Sequence, residues 1–353
     1  MREDLQAFSE SLRRALRERY DPAALLRRVG AARQYDTDLH RLLMDDLGAA
    51  MLLTPESLGG ADFGAEGAAQ AFEAFGWALY DGPYLNHALH MQSLKLLEQE
   101  EDADALAVEK GKVALAWCDP EGGWSDFTAL HGRLSGSGGV VASGLRTRVF
   151  DADLAAAFLA PVRIESRVLL VLFPKENVTI DSPLSLDLTR SCGRVRFSDA
   201  PGRVLGALPA DAHGRLLAFL CLAAAAELTG LAQRCLELSV DYARTRFQFG
   251  RPIGSFQAVK HLCAEMACRV ADLRASVVAA TSSERAATAR MAAAVCVEGA
   301  FANARDCIQV HGGIGFTWEH PAHLFYRRAA AWRALLPSVA DNLAAYLTDQ
   351  VTA

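Results

Sequence analysis

The 353-residue sequence predicts an α+β protein in three consecutive parts: an N-terminal helical domain (1–111), a middle small β-barrel domain (112–206) and a C-terminal four-helix bundle (207–353). Apolar residues recur at helical spacing through the first part. Short β-type runs separated by Gly or Pro fill the second, and segments of bundle length make up the third.

In the first part, Leu5, Phe8, Leu12 and Leu16 lie on one helical face with charges between them. His40 to Leu47 and Ala65 to Leu79 behave likewise. The stretch Leu53-Thr54-Pro55-Glu56-Ser57-Leu58-Gly59-Gly60 reads as a loop by its Pro and Gly content. In the middle, Val113 to Trp117, Val140 to Ser143, Arg167 to Phe173 and Gly193 to Phe197 read as strands. From Pro209 onward, Leu216 to Arg244, Ser255 to Ser282, Ser283 to Gln309 and Ala322 to Leu347 are the four bundle segments.

Composition narrows the function. Half of the residues are hydrophobic and the net charge is −6, which gives no reason to expect nucleic-acid binding. The eight cysteines form no C-x-x-C and have no zinc-finger spacing to His, so they read as reduced structural thiols of a cytoplasmic protein. Met1 to Tyr20 is charged and contains acids, unlike a secretory or transit signal. The most apolar run, Leu216 to Leu231, is too short to span a membrane and carries Glu227. His261, His311, His320 and His323 have no acidic partner at a ligand spacing, so no metal site is expected. Neither a G-x-S-x-G nor a Walker motif occurs.

Two segments stand out. Arg244-Thr245-Arg246-Phe247-Gln248-Phe249-Gly250-Arg251-Pro252 packs arginines, aromatics and glycine into a helix-to-helix elbow. Arginine offers a fixed planar charge suited to phosphate oxygens, and glycine allows close backbone approach. Further on comes Gln309-Val310-His311-Gly312-Gly313-Ile314-Gly315-Phe316. Read singly, Arg246 is a surface salt-bridge residue and Gly312-Gly313 a helix C-cap.

Together and in this order, the two segments resemble the flavin-binding elements of the acyl-CoA dehydrogenase family. Pro55-Glu56-Ser57-Leu58-Gly59-Gly60 is similar to that family's P-E-x-x-G-G turn, and Gly230-Leu231-Ala232-Gln233-Arg234 to its bundle pattern. The resemblance implies flavin adenine dinucleotide (FAD), held across a subunit interface. Arg246, Gln248, Phe249 and Gln257 match the elbow of that site, and Gln309, Gly312 and Gly313 its second contact.

It also implies a glutamate that takes a proton beside a thioester carbonyl while the neighbouring carbon delivers hydride to the flavin. Neither of the family's two positions for that base carries one here. No glutamate lies between Glu319 and the C-terminus, and the earlier position falls in Phe219-Leu220-Cys221. The family's substrate-contacting Asp-x-x-Arg falls at Ala218 and Cys221. In the β part, Asp119 to Asp126 partly matches a Gly-Ser turn near the flavin phosphates. Arg148 and Phe150 stand where the family has Trp and Thr against the flavin ring.

Glu227 is the remaining acid on the relevant helix. It is either a structural partner of a buried cation or a displaced base. The pattern implies the non-base subunit of a heteromeric, α2β2 acyl-CoA dehydrogenase. Its partners would be an acyl-CoA dehydrogenase-like chain, acyl-CoA and an electron-transfer flavoprotein or similar acceptor. A self-sufficient enzyme using Glu227, and a flavin-free interaction protein, are the competing expectations.

Overall fold

A computed structural model describes residues 2–19, 21–30, 35–97, 112–121, 123–124, 130–135, 139–183, 185–283 and 285–352. The expected junction at 111/112 falls beside residues outside this set. Helices α1 (Arg2–Arg19), α2 (Pro22–Gly30), α3 (Thr37–Arg41), α4 (Gly64–Ala78) and α5 (Tyr84–Leu94) form the N-terminal layer. Leu5, Leu12 and Leu16 turn inward on α1, as their spacing requires. The Pro55–Gly60 segment is a single 3₁₀ turn over Glu56–Leu58. It closes at Gly59 with φ of 79°, the left-handed region that glycine enters at no steric cost.

The middle strands are β1 (Val113–Leu115), β2 (Leu130–Leu134), β3 (Val140–Phe150), β4 (Ala157–Ile164), β5 (Arg167–Pro174), β6 (Val178–Asp181) and β7 (Cys192–Ala207). β4, β2, β3, β7 and β5 pair in a ring that closes when β5 returns to β4, while β1 pairs with β4 and β6 with β7. Phe158, Val171, Phe173, Val195 and Phe197 fill the barrel. The Phe173 and Phe197 rings meet edge to face at 4.8 Å. The sequence reading found four of these strands and passed over three. β4 is buried along its first six residues, so its sequence lacks alternation, and it contains Pro161. β2 is short and mostly exposed, and β6 has four residues.

The C-terminal part holds α6 (Ala212–Thr245), the two-strand hairpin β8 (Phe247–Gln248) and β9 (Arg251–Pro252), α7 (Gln257–Thr281), α8 (Ala286–His311), α9 (Ala322–Leu335) and α10 (Val339–Thr352). The fourth bundle segment, expected as one helix from Ala322 to Leu347, is two. Pro337 has no N–H to donate and restricts Leu336 to extended backbone, at ψ of 163°. α6 is the one described helix long and apolar enough to cross a membrane, and 89% of its apolar window is buried inside the protein. One core joins the N-terminal helices to the bundle through α6. Burial pushes the Cys221 and Cys296 thiols up to about 12, so both stay protonated.

α4 and α6 cross in near backbone contact. A Cβ on Gly76 would lie 1.9 Å from the Glu227 carbonyl oxygen, and one on Gly230 would lie 1.8 Å from that of Glu73. Backbone cannot yield as a side-chain tip does. Gly230→Ala should therefore cost about 3 kcal/mol, the upper range of overpacking, read as a lowered midpoint in thermal or urea unfolding. An unchanged midpoint would show that the crossing is looser than described.

Candidate flavin elbow and a buried ion cluster

The elbow begins where α6 ends. Arg246 leaves helical geometry (φ −83°, ψ 120°), and its N–H still donates to the Tyr242 carbonyl at 2.8 Å. β8 pairs Phe247 with Pro252 and Gln248 with Arg251, which leaves Phe249-Gly250 as a two-residue turn. Both have positive φ, 53° and 76°, as a type I′ hairpin requires. Glycine does this freely, but a phenylalanine does not. The strained Phe249 projects its ring into solvent and is 90% exposed.

Charge is also left unspent here. Among the described residues, the guanidiniums of Arg244 and Arg246 have no side-chain partner, and Arg251 only covers the Phe256 ring at 4.2 Å. Gln257 opens α7, exposed.

The second segment sits at the same end of the bundle. Gln309 lies exposed on the last turn of α8. Gly312 terminates that helix with φ of 63°, and Gly313 follows it into a 3₁₀ turn over Gly312–Phe316. His311 stacks on Tyr242 at 4.5 Å and on His320 at 4.2 Å, so the ends of α6 and α8 are tied by a ring ladder. Its Nδ1 donates to the Cys307 carbonyl at 2.7 Å. Burial, with His311 and His323 nearby, pushes His320 down to about 4, so that ring is neutral at physiological pH. Phe247, Phe316 and Trp318 also stand exposed, Phe316 at 76%. Four exposed aromatic rings, Phe247, Phe249, Phe316 and Trp318, thus lie in or just beyond the two segments, the first of which carries the unpaired arginines.

Glu227 lies elsewhere, inside the protein and only 1% exposed. Arg190 grips it in a fork, with Nη1 and Nη2 each 3.1 Å from Oε2. Arg328 of α9 donates to its Oε1. Arg328 also pairs through Nε with Asp187 and donates through Nη2 to Thr189 Oγ1 and to the Tyr80 carbonyl. Asp187 in turn accepts from the Thr189 N–H at 2.9 Å. Arg190 stacks over Trp332 at 5.3 Å. Both carboxylate oxygens of Glu227 are thus taken up by guanidinium donors.

The sequence reading missed Arg190, Arg328 and Asp187. A signal existed for two of them. Asp187-Leu188-Thr189 has the spacing of an Asx turn, and Arg328 interrupts the apolar face Leu324, Phe325, Trp332 of α9.

Residues 213–335 match the acyl-CoA dehydrogenase C-terminal domain family. Over 348 residues the chain is 33% identical to the acyl-CoA dehydrogenase IpdE2 of Mycobacterium tuberculosis, covering 97% of this chain and 95% of the relative. Among solved structures it superposes on a Tcur3481–Tcur3483 steroid ACAD G363A variant with a TM-score of 0.87 at 22% identity, covering 99% of both chains. It superposes on the ChsE4–ChsE5 complex from Mycobacterium tuberculosis with a TM-score of 0.82 at 23% identity, covering 99% of this chain and 97% of that one. The chain belongs to the acyl-CoA dehydrogenase family.

The ion cluster sets a stability test. Removing one member of a buried pair leaves its partner charged and unsatisfied, at a cost of about 3–5 kcal/mol. Arg328→Met should show that loss in urea unfolding. A loss below about 1 kcal/mol, the level of a surface pair, would mean that the cluster is solvated.

Proposed function

We propose that this chain is the subunit of a heteromeric acyl-CoA dehydrogenase that completes an FAD site across the interface, while a partner chain supplies the catalytic base. One observation carries the reading. The surviving acid near the family's catalytic positions, Glu227, is held on both oxygens by arginines, leaving it no free lone pair for a substrate proton. The α9–α10 break offers Leu335-Leu336-Pro337-Ser338, without a carboxylate. The elbow, by contrast, keeps the groups a dinucleotide needs.

Arg246, with Arg244 beside it, would meet the diphosphate. Phe249 would lose its solvent exposure against the ligand or the partner, and Gln248, Gln257 and Gln309 would supply amide contacts. Gly312 and Gly313 have open space where a side chain would project, so a ligand can approach their backbone. The flavin, when bound, accepts the hydride from the substrate. This chain's contribution is to bind and orient it. Two structural neighbours support the assembly. One is by name a complex of ChsE4 with ChsE5, and the other pairs Tcur3481 with Tcur3483 as a steroid ACAD. A cytoplasmic α2β2 enzyme acting on a bulky acyl-CoA, and passing electrons to an electron-transfer flavoprotein, accords with this reading.

The test is the visible absorption spectrum of the chain purified alone and co-purified with its acyl-CoA dehydrogenase-like partner. Yellow protein only in the complex, at about one flavin per pair of chains, is expected. Arg246→Ala should weaken flavin retention about tenfold to a hundredfold, the worth of a charge-assisted contact. Flavin bound by the isolated chain and bleached by acyl-CoA would favour a self-sufficient enzyme. A colourless complex would favour an interaction protein.

A further inference from the structure

A large cavity among the described residues lies at the opposite end of the bundle from the elbow. It measures about 880 Å³ and is lined by Trp124 and Arg148 of the barrel, His213 at the start of α6, Arg290 of α8, and Arg333 and Ser338 around the α9–α10 break. His213 and Tyr242 lie near the two ends of the 34-residue helix α6, so about 44 Å of helix separates them. The cavity and the elbow are therefore different places on this chain.

The family resemblance puts a flavin ring against this wall of the barrel, at Arg148 and Phe150. The residues present do not fit one. Arg148 sits at an irregularity within β3, between Arg146 and Val149, with φ of 50°, a strained conformation for a non-glycine residue. Its Nη1 donates to the Leu335 carbonyl at 2.6 Å, and the Trp124 indole N–H donates to the same oxygen at 2.6 Å. Together they bridge β3 to the end of α9, where a ring would have to slide between barrel and bundle. Phe150 is turned onto Trp332 at 5.5 Å.

What stays open is cationic. Arg290 donates through Nε to Asn342 Oδ1 at 3.0 Å and through Nη2 to the Asp341 carbonyl at 3.2 Å. Arg148 is likewise held by a neutral carbonyl. Among the described residues neither arginine has a carboxylate within ion-pair distance, so both keep their full charge toward the cavity. Of the two acids in the lining, Asp349 is neutralised by Arg285 at 2.6 Å, whereas the Asp341 carboxylate accepts from Ser338 Oγ at 2.6 Å and keeps its charge. Arg333 is neutralised by Glu298 at 2.7 Å. Two guanidiniums without a carboxylate partner outweigh the one charged acid of the lining, Asp341, and with an indole beside them are suited to a phosphate group carrying a flat ring.

We propose that this cavity binds a nucleotide-like organic phosphate, with Arg148 and Arg290 on the phosphate and Trp124 against the ring, and that it is not a second flavin site. The experiment is calorimetric titration of the flavin-loaded complex with ADP, pyrophosphate and adenosine. One ADP should bind per copy of this chain while the visible flavin spectrum stays unchanged. Pyrophosphate should bind more weakly than ADP, and adenosine not at all. Arg290→Gln and Arg148→Gln should each weaken ADP by about tenfold or more, and Arg290→Lys should recover part of the loss. Arg290 also ties α8 to α10, so Arg148→Gln serves as the independent variant if the first is unstable. ADP binding that survives Arg246→Ala, which weakens the elbow's hold on flavin, keeps this inference separate from the flavin reading. Absence of ADP binding, binding unaffected by both glutamine variants, adenosine binding as tightly as ADP, or release of flavin by ADP would each overturn it.

Discussion

The buried carboxylate of Glu227 is the point on which the three parts of the chain converge. It sits on α6, accepts from Arg190 at the edge of the barrel, and accepts from Arg328 on α9. Arg328 extends the junction to the Tyr80 carbonyl, just past α4. A charge so deep is tolerable only with its partners in place, since an unpaired one would cost several kcal/mol. The cluster therefore fixes how barrel, N-terminal layer and bundle sit on one another. The near-contact of α4 and α6 at Gly76 and Gly230 serves the same end, placing Glu227 beside the layer that carries Tyr80.

That architectural use of an acid has a chemical consequence. Proton abstraction needs a carboxylate with a free lone pair facing the substrate carbon. Glu227 faces two arginines instead. The acid is thus used to hold the interior together, and the elbow lies at the far end of the same helix. There, unpaired arginines and solvent-facing aromatics are held in a strained hairpin. Among the described residues the exposed, strained Phe249 meets only the Phe256 ring, edge to face at 6.1 Å, which is what a surface completed by a partner and a dinucleotide would show.

Much of the fold was legible because long periodic helices carry an unambiguous signal. α1, α4, α6, α7 and α8 follow the apolar spacing within a few residues. The barrel was harder. β4 is buried on both faces and so loses the alternation that betrays a strand, and the split between α9 and α10 turned on one proline whose effect was not weighed. For the site, the elbow was readable because its residues are contiguous. The partners of Glu227 were not, since Arg190 is 37 positions away and Arg328 is 101. Burial of an acid could be foreseen from the apolar run around it, but the identity of its cations depended on which distant segments the fold brings together.

The measurement that bears most directly on this account is anaerobic reduction of the flavin by acyl-CoA in the complex carrying Glu227→Gln in this chain. Glutamine removes the base and keeps one acceptor oxygen, while its amide N–H2 replaces the other, so the comparison is made per bound flavin on complex that still folds. Bleaching per bound flavin should match the unaltered complex. A complex that retains its flavin but no longer bleaches would make Glu227 the base and contradict the division of labour proposed for the two chains.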